Sequence, residues 1–390
     1  MSSQTETDRS GPFDLLVVGG GIVGLAVARE AAAAGASVAL VDREVVRGGD
    51  ATDVAAGMLA PVGELDFGEP GLLKMNLDSA SLYPDLCVEL SSETGIETGY
   101  RRSGGLHVAP DADEAAVHRR MLELQVESGL DSRWLGPGRA RELEPALSPS
   151  IHGAVFAADD GSVDPRMMAL ALEESATRSG AVLLRGREIA SLLLEDDRAR
   201  GVRLADGPEI LADETVLSCG AETGRLSWLE PDLRPPIRPV KGQVLELAGD
   251  PGDPICHRAI VSERVYVVPR PDGRVIVGAT VEEKGWDRTV TAGGVHELLR
   301  EAYRVLPDVA ELEFLRASAG FRPGTPDNLP IVGRTVCSGL SLATGHYRNG
   351  VLLAPLTGRA VAGMLADGLD QAPGMEAADP GRFRSRAGVV

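Results

Sequence analysis

The order of apolar and polar positions at the start of the chain predicts an alternation of strand and helix. A continuous apolar run, FDLLVV at 13–18, leads into a glycine-rich turn, and the segment that follows has helix-forming composition up to Gly35. Such runs are typical of strands that are buried on both faces of a parallel sheet. A second apolar run, SVALVD, comes next. Residues 13–60 therefore predict strand, turn, helix and strand.

The spacing of apolar residues changes several times along the rest of the chain. Apolar positions at helical spacing predict helices between 71 and 147 and again after residue 164. Strands on either side of Asp196 and Asp197 predict one hairpin, and strands on either side of Pro271-Asp272-Gly273 predict another. A helix is predicted at 293–305, and the chain ends with a strand and a helix before 371. The pattern predicts an α/β fold that is joined by a more β-rich part.

The turn after the first strand carries candidate chemistry. Gly19, Gly21 and Gly24 form a GxGxxG pattern between a strand and a helix, and Asp42 ends the next strand. This spacing is typical of dinucleotide sites, in which the glycines allow a tight turn, close approach of a pyrophosphate and packing of helix on strand. The helix N-terminus then faces the phosphates, and Asp42 accepts hydrogen bonds from ribose hydroxyls.

Composition and charge exclude several classes of function. The chain has 390 residues, with 58 acidic against 39 basic side chains, for a net charge of −19. This acidity argues against nucleic-acid and anionic membrane partners, which bind Lys and Arg clusters. The four scattered cysteines favour a reducing compartment, and we expect a cytoplasmic protein. Neither the cysteines nor the six histidines have metal-site spacing, so we expect no metal.

Further candidate residues each have a structural alternative. The small-residue stretch 48–61, with Thr52, suits either a cofactor contact or an ordinary loop. Arg322 and Arg348 lie among glycines and prolines, where they suit a small carboxylate or surface salt bridges. Tyr266 points either into the same pocket or into the core. His346 and Cys219 have no partner at informative spacing and are interpreted as a loop residue and as buried filler.

With these segments in view, the chain resembles the D-amino-acid oxidase superfamily of FAD enzymes and, within it, the glycine oxidases of thiamine biosynthesis. The resemblance covers about residues 13–367. It rests on AAGMLAP, VKGQ, YVVPRPDGRVIVGAT, GFRPGTPDNLPIVG and GHYRNGVLLAP, which occur in the family's order. The resemblance implies that the dinucleotide is FAD.

The same resemblance assigns roles by position. Arg322 and Arg348 would bind the substrate carboxylate, and Tyr266 would line the substrate pocket. The cofactor would contact Gly19, Gly21, Ile22, Val23, Gly24, Asp42, Arg43, Thr52, Ala56, Gly57, Met58 and Ile189, and along the flavin ring His346, Tyr347, Arg348, Asn349, Gly350, Val351 and Leu352. No residue is expected to act as an acid or base.

The implied reaction is hydride transfer from the substrate α-carbon to flavin N5. The imine would feed thiazole formation or hydrolyse to glyoxylate and ammonia, while oxygen reoxidises the flavin to give hydrogen peroxide. A D-amino-acid or sarcosine oxidase or dehydrogenase is the alternative, and a non-catalytic flavin-binding protein is a remote one. The partner is then a small amino acid. The resemblance also suggests a homotetramer.

The resemblance implies a division into two domains. A Rossmann-like FAD-binding domain would comprise 13–70, 150–225 and 320–370, and an α+β substrate-binding domain with a large antiparallel or mixed sheet would comprise 71–149 and 226–319. Residues 1–12 and 371–390 would be loose tails.

Two features depart from the family pattern. Asp42 stands where glutamate is usual, and Asp50 and Asp53 would bring acidic groups close to the FAD pyrophosphate. Family members that attach flavin covalently use a cysteine that RASAGFRPGTPDNLP lacks, so FAD should be non-covalent.

Overall fold

The computed structural model describes residues 12–45, 51–62 and 70–386. The helices within these residues are α1 (Ile22–Ala33), α2 (Ala51–Val54), α3 (Pro70–Thr94), α4 (Ala112–Glu127), α5 (Pro137–Leu143), α6 (Pro165–Arg178), α7 (Ala292–Val305) and α8 (Gly350–Ala366). The strands are β1 (Phe13–Val18), β2 (Val38–Asp42), β3 (Met58–Leu59), β4 (Gly105–Ala109), β5 (Ser132–Leu135), β6 (Gly153–Ala157), β7 (Gly161–Ser162), β8 (Val182–Arg185), β9 (Ile189–Glu195), β10 (Arg198–Leu204), β11 (Glu209–Leu217), β12 (Arg238–Ala248), β13 (Ala259–Val261), β14 (Tyr266–Pro269), β15 (Arg274–Gly278), β16 (Glu313–Gly324), β17 (Ile331–Arg334) and β18 (Leu340–Thr344).

The first sheet has a parallel centre. Its strand order is β17-β18-β11-β1-β2-β8, and every pair along this path is parallel except β17–β18. The antiparallel β9 and β10 extend from β11 as the predicted hairpin around Asp196 and Asp197. Since β1 lies between β11 and β2, the glycine turn after it lies at the carboxyl edge of the sheet, where open α/β sheets bind ligands.

The apolar run of β1 is buried from both sides, as predicted. Leu15 and Val17 pack in one core with α1, α3, α6 and α8. Leu16 and Val18 pack in another core with apolar residues of β9 and β10. Because successive side chains of a strand point to opposite faces, a strand between two layers needs an apolar residue at every position.

The second sheet is mostly antiparallel. Its order is β16-β12-β15-β14-β13-β4-β6-β5, with β13–β4 as the parallel pair. The hairpin at Pro271-Asp272-Gly273 is confirmed, because Pro269 pairs with Val275 across β14 and β15. The predicted helix at 293–305 is confirmed as α7. One face of this sheet packs against α7 in a core that contains Leu245, Val267, Val277 and Leu298.

The packing of α3 and β6 differs from the predicted domain limits. Helix α3 lies within the range predicted for the substrate-binding domain, yet its Tyr83 and Leu90 are buried in the core of the first sheet. Strand β6, predicted with the FAD-binding domain, pairs with β4 and β5 in the second sheet. An apolar helix face does not specify which sheet it covers, and a short strand does not specify its neighbours, so the domain limits stay a prediction.

The chain end also differs from the prediction of a loose tail. Ala372, Met375 and Ala378 are buried against the helices of the first sheet. Three well-spaced apolar side chains are enough to hold the segment in place, although its proline and glycine content suggested otherwise. Residues 1–11 and 387–390 of the predicted tails lie outside the described residues. None of the helices in the described ranges has the length and apolar character needed to cross a membrane.

Candidate active site

A cavity of about 1210 Å³ lies where the carboxyl edge of the first sheet meets one face of the second. From the first sheet it is bordered by residues after β1, β2, β11 and β18, and from the second by residues of β12, β14, β15 and β16. The predicted cofactor residues that line it are Gly19, Gly21, Ile22, Val23, Asp42, Arg43, Thr52, Ala56, Gly57, Met58, Ile189, His346, Tyr347, Arg348, Asn349, Gly350, Val351 and Leu352. Arg322 and Tyr266 line the same cavity.

Gly24 is the predicted cofactor residue that does not line the cavity. A Cβ at Gly24 would lie 2.0 Å from the carbonyl oxygen of Gly19 and 3.2 Å from the Cβ of Ser218. Gly24 therefore lets α1 pack against the turn, the third of the roles that the glycine pattern predicts. Gly19 itself has φ +108, a conformation that favours glycine.

Asp42 organises the turn from the neighbouring strand. Its Oδ2 accepts a hydrogen bond from the Gly20 amide at 2.5 Å, and its Oδ1 accepts one from the Glu44 amide at 2.8 Å. Each carboxylate oxygen keeps a further lone pair, so these bonds are compatible with a ribose hydroxyl as an additional donor. The adjacent Arg43 lies 3.4 Å from the carboxylate of Glu222, which also lines the cavity.

Two helix N-termini open into the cavity. The N-cap of α1 is Gly21, which has no side chain to cap the helix, and the Ile22 amide donates to Thr52 Oγ1 at 3.1 Å. The N-cap of α8 is Asn349, whose side chain makes no capping bond within the described part of the chain. Neither helix has an acidic residue in its first turn. Both ends therefore present partial positive charge and backbone donors to an anionic ligand.

The first turn of α8 is completed by side chains of α3. Pro355 has no amide hydrogen to give to the carbonyl of Val351, and the Tyr83 hydroxyl donates to that carbonyl instead. The Ser79 hydroxyl donates to the Leu352 carbonyl at 2.6 Å and accepts from the Leu356 amide at 3.3 Å. The helix end that faces the cavity thus depends on a second helix for its hydrogen bonds.

The two candidate substrate arginines come from different elements. Arg322 lies near the end of β16, and Arg348 lies in the turn between β18 and α8. The Tyr347 amide donates to the Pro323 carbonyl at 3.1 Å, which joins that turn to β16 next to Arg322. The Arg322 guanidinium donates to the Thr280 carbonyl at 3.1 Å, and Arg348 lies over the ring of Tyr347 at 5.3 Å.

Glycines of the second sheet make room for these side chains. A Cβ at Gly242 of β12 would lie 2.5 Å from Nη1 of Arg322. Tyr266 pairs directly with Gly278, where a Cβ would lie 2.5 Å from the tyrosine hydroxyl. Neither glycine was predicted as a site residue, although both lie in the quoted segments VKGQ and RVIVGAT. A contact between neighbouring strands needs the register, which the sequence did not provide.

His346 and Cys219 have environments that make them unreactive. Burial lowers the pKa of His346 to about 3, and its Nε2 lies 2.9 Å from the Thr357 hydroxyl. Burial raises the pKa of Cys219 to about 12, and its thiol donates to the Val18 carbonyl. His346 is therefore neutral near neutral pH, and Cys219 is protonated. His346 is buried, whereas Cys219 is only half-buried and so is not the buried filler that was expected; both border the cavity.

Comparison with known proteins places this geometry in a family. The sequence profile named DAO, FAD dependent oxidoreductase, matches residues 14–364. The chain belongs to the DAO family of FAD-dependent oxidoreductases. It is 33% identical over 356 residues to a glycine oxidase of Geobacillus kaustophilus, covering 90% of this chain and 93% of that one. A crystal structure of glycine oxidase from the same organism superimposes with a TM-score of 0.86 at 32% identity, covering 93% and 96% of the two chains.

Two other relatives widen the comparison within the DAO family. A bifunctional ThiO/ThiG protein of Synechocystis is 35% identical over 377 residues, which cover 95% of this chain and 54% of that protein. The chain thus spans about half the length of the bifunctional relatives it matches. An iminodiacetate oxidase of Chelativorans has a TM-score of 0.84 at 30% identity, covering 94% of this chain and 98% of the other.

The cavity fits the cofactor of the DAO family. An elongated dinucleotide needs donors for its pyrophosphate and an acceptor for its ribose, and the end of α1 and Asp42 provide both. The N-terminus of α8 provides a second position for negative charge. Sequence reasoning missed Ser218, which lines the cavity at the end of β11. Its position next to the glycine turn follows from the parallel pairing of β1 with β11.

Proposed function

We propose that the chain is an FAD-dependent oxidase that converts glycine to its imine and supplies that imine for the thiazole of thiamine. One observation carries the proposal: Arg322, Arg348 and Tyr266, from three separate elements, border the cavity that also contains the glycine turn. The glycine oxidase of Geobacillus kaustophilus, matched over 93% of its length, supports the choice of substrate.

The chain's own residues bind and orient the substrate. The fork-shaped donors of Arg322 and Arg348 suit a carboxylate, and two such contacts fix the direction of the α-carbon. This positioning lowers the barrier because the reacting groups are already aligned. When bound, FAD supplies the hydride acceptor. The amine enters neutral, so no side chain is assigned the role of a base, and the buried, neutral His346 fits this assignment.

We propose that FAD is held without a covalent bond. Cys219 borders the cavity, but burial of its thiol raises the pKa to about 12, which leaves little thiolate for such a link. Heat or acid precipitation should release free FAD into the supernatant. Colour that stays with the pellet would contradict this part of the proposal.

The acceptor, location and assembly extend the same proposal. Oxygen would reoxidise the flavin with release of hydrogen peroxide, and the imine would otherwise hydrolyse to glyoxylate and ammonia. All four cysteines are free thiols, which supports a cytoplasmic location. A homotetramer is proposed from the family resemblance. A peroxide assay and light scattering on the eluted protein would test the acceptor and the assembly.

The central experiment is anaerobic mixing of the purified yellow protein with glycine, sarcosine, D-alanine and iminodiacetate. The bleaching of the visible flavin band measures reduction by each amine. We expect glycine to bleach the flavin. If glycine leaves the band unchanged while another of the amines bleaches it, the substrate assignment is wrong and the enzyme class stands.

A second candidate substrate has an observation of its own. Arg264 and Arg288 line the same cavity as Arg322 and Arg348, so a molecule with two carboxylates would find further guanidinium donors there, although Glu114 and Glu263 also line it. The structural likeness to an iminodiacetate oxidase also supports this candidate. Faster bleaching by iminodiacetate than by glycine would favour it. Sarcosine and D-alanine, which carry one carboxylate each, separate this effect from a simple difference in size.

A further inference from the structure

A group of arginines and carboxylates lies behind the 51–58 segment, on the side away from the cavity. We call it the arginine cluster; its members are Arg166, Arg270, Arg274, Arg316, Asp164 and Glu246. Arg270 and Asp164 are each 4% exposed, and Glu246 is 8% exposed. Buried charges of this kind are stable only when they are paired and hydrogen-bonded, so Asp164 and Glu246 need arginine partners.

Two members of the arginine cluster donate to the backbone of the 51–58 segment. Arg166 donates from Nε and Nη2 to the Asp53 carbonyl at 3.0 and 2.8 Å. Arg270 donates from Nη2 to the Ala56 carbonyl and from Nη1 to the Val163 carbonyl, the latter at 2.9 Å. The Val163 amide in turn donates to the Gly57 carbonyl at 2.9 Å. Two carbonyls of this short segment therefore accept from the cluster, and a third accepts from the backbone of Val163.

The carboxylates bind three of the arginines directly, while Arg270 lies 4.0 Å from Asp164. Asp164 caps α6 by accepting from the Arg166 amide at 2.9 Å and accepts from Arg274 at 2.7 Å. Glu246 accepts from Arg166 at 3.1 Å and from Arg316 at 2.7 Å. Burial opposes ionisation of Glu246, but the hydrogen bonds from Arg166 and Arg316 outweigh it and lower its pKa to about 2. Glu246 is therefore ionised at neutral pH.

Residues of the 51–58 segment border two different spaces, and Val54 and Ala55 border both. Thr52, Ala56, Gly57 and Met58 line the cavity. Asp53 instead lines a small cleft together with Arg166, Arg270 and Glu246, and it is not among the residues that line the cavity. The Asp53 carbonyl, which accepts from Arg166, thus faces this cleft. Asp50 lies outside the described residues.

We propose that Arg166 and Arg270 are positioning residues for the FAD site. By holding the Asp53 and Ala56 carbonyls from behind, they keep the opposite face of the 51–58 segment against the cavity, and they direct the Asp53 side chain away from the cofactor's phosphates. This inference rests on the proposed FAD site but is independent of which amine is oxidised.

The test compares three methionine variants: Arg166→Met, Arg270→Met and the control Arg316→Met. Arg316 binds Glu246 but reaches no carbonyl of the 51–58 segment in the contacts above. FAD is titrated into each apoprotein while quenching of flavin fluorescence is followed, and apoprotein melting is measured in parallel. We expect the FAD dissociation constant to rise by about tenfold or more in the first two variants and by less than about twofold in the control.

A purely structural role gives a different result. If Arg166→Met and Arg270→Met lower the melting temperature of the apoprotein but leave the FAD dissociation constant unchanged, the inference is wrong. If Arg270→Met does not fold, FAD binding by Arg166→Met still tests the inference, because Arg166 is half-exposed. Arg166→Lys is the second variant. The lysine keeps the charge beside Glu246 but loses the paired donors, so weaker FAD binding is again expected.

The direction of Asp53 has its own test. Asp53→Asn should leave the FAD dissociation constant within about twofold, because on this proposal the Asp53 side chain is directed away from the phosphates. Clearly tighter FAD binding in Asp53→Asn would show repulsion of the phosphates and overturn this part. Failure of glycine to bleach the bound flavin would count against the proposed substrate alone, since every measurement here concerns FAD binding.

Discussion

The two walls of the cavity handle negative charge with different chemical groups. The wall from the first sheet offers backbone amides at the turn after β1 and at the ends of α1 and α8. The wall from the second sheet offers the long side chain of Arg322, and the turn between β18 and α8 adds that of Arg348. Backbone donors are fixed once the fold forms, whereas a guanidinium must be held in position by its neighbours. Substitutions in the two walls should therefore impair binding in different ways.

The largest effect is expected at the backbone wall. In Gly24→Ala the new Cβ would meet a backbone oxygen at 2.0 Å, so the turn itself must move. Overpacking of this kind costs about 1–3 kcal/mol, and the FAD dissociation constant should rise by about tenfold to a hundredfold. FAD titration of the apoprotein measures it. Gly363→Ala in α8, where nothing lies within 4 Å of the new atom, is the control and should bind FAD normally.

At the side-chain wall, Arg322→Gln should weaken binding of the substrate and leave binding of the cofactor unchanged. Loss of charged hydrogen bonds worth about 1.5–3 kcal/mol should raise KM for glycine about tenfold to a hundredfold, with FAD content unchanged. Steady-state peroxide assays give KM, and the flavin absorbance of the purified protein gives FAD content. Arg316→Gln changes an exposed arginine of the same strand and should leave both values alone. Loss of FAD in Arg322→Gln would contradict the division between the walls.

His346, in the turn between β18 and α8, gives stability a pH dependence. Burial lowers its folded pKa to about 3. The unfolded chain, with a histidine pKa of about 6.5, binds the proton more readily between these values, so stability falls as pH drops below about 6.5. At pH 5 the loss amounts to about 2 kcal/mol. Urea unfolding at pH 7.5 and pH 5 should show a smaller difference for His346→Gln than for the unaltered protein.

The matched control for that measurement is His296→Gln, which changes an exposed histidine of α7. It should keep the full pH dependence. Equal pH dependence in His346→Gln and in the unaltered protein would show that His346 takes up its proton in the folded state.

The smallest effect should come from Gly242→Ala. The added methyl group would meet the far end of the Arg322 side chain, which can move without disturbing the backbone. We expect KM for glycine to rise about threefold to tenfold, equivalent to about 1 kcal/mol, and melting to stay the same. Gly293→Ala in α7, with nothing within 4 Å, is the comparison. A large fall in melting temperature would show that the sheet, and not the Arg322 side chain, moves to make room for the methyl group.

The same contrast explains what the sequence could predict. The glycine turn and Asp42 are close in sequence and follow a fixed spacing, so residues alone identified that wall. Arg322 and Arg348 could be paired by family resemblance alone, because the bond between Tyr347 and Pro323 that joins their elements leaves no local pattern. The sheet that α3 covers could not be predicted for a related reason. The apolar face of α3 was visible, but the choice between two sheets is made by tertiary packing.

The hydroxyls of Ser79 and Tyr83 have a consequence for how this molecule opens. Because they complete the hydrogen bonds of the first turn of α8, that turn cannot fray alone without leaving two carbonyls of α8 unpaired. The middle of α3 and the beginning of α8 should thus form one cooperative unit in amide hydrogen exchange, although the bonded residues are 273 and 268 positions apart in sequence. The free energy of opening the first turn of α8 should then be as large as that of a buried helix, and larger than that of an ordinary helix terminus.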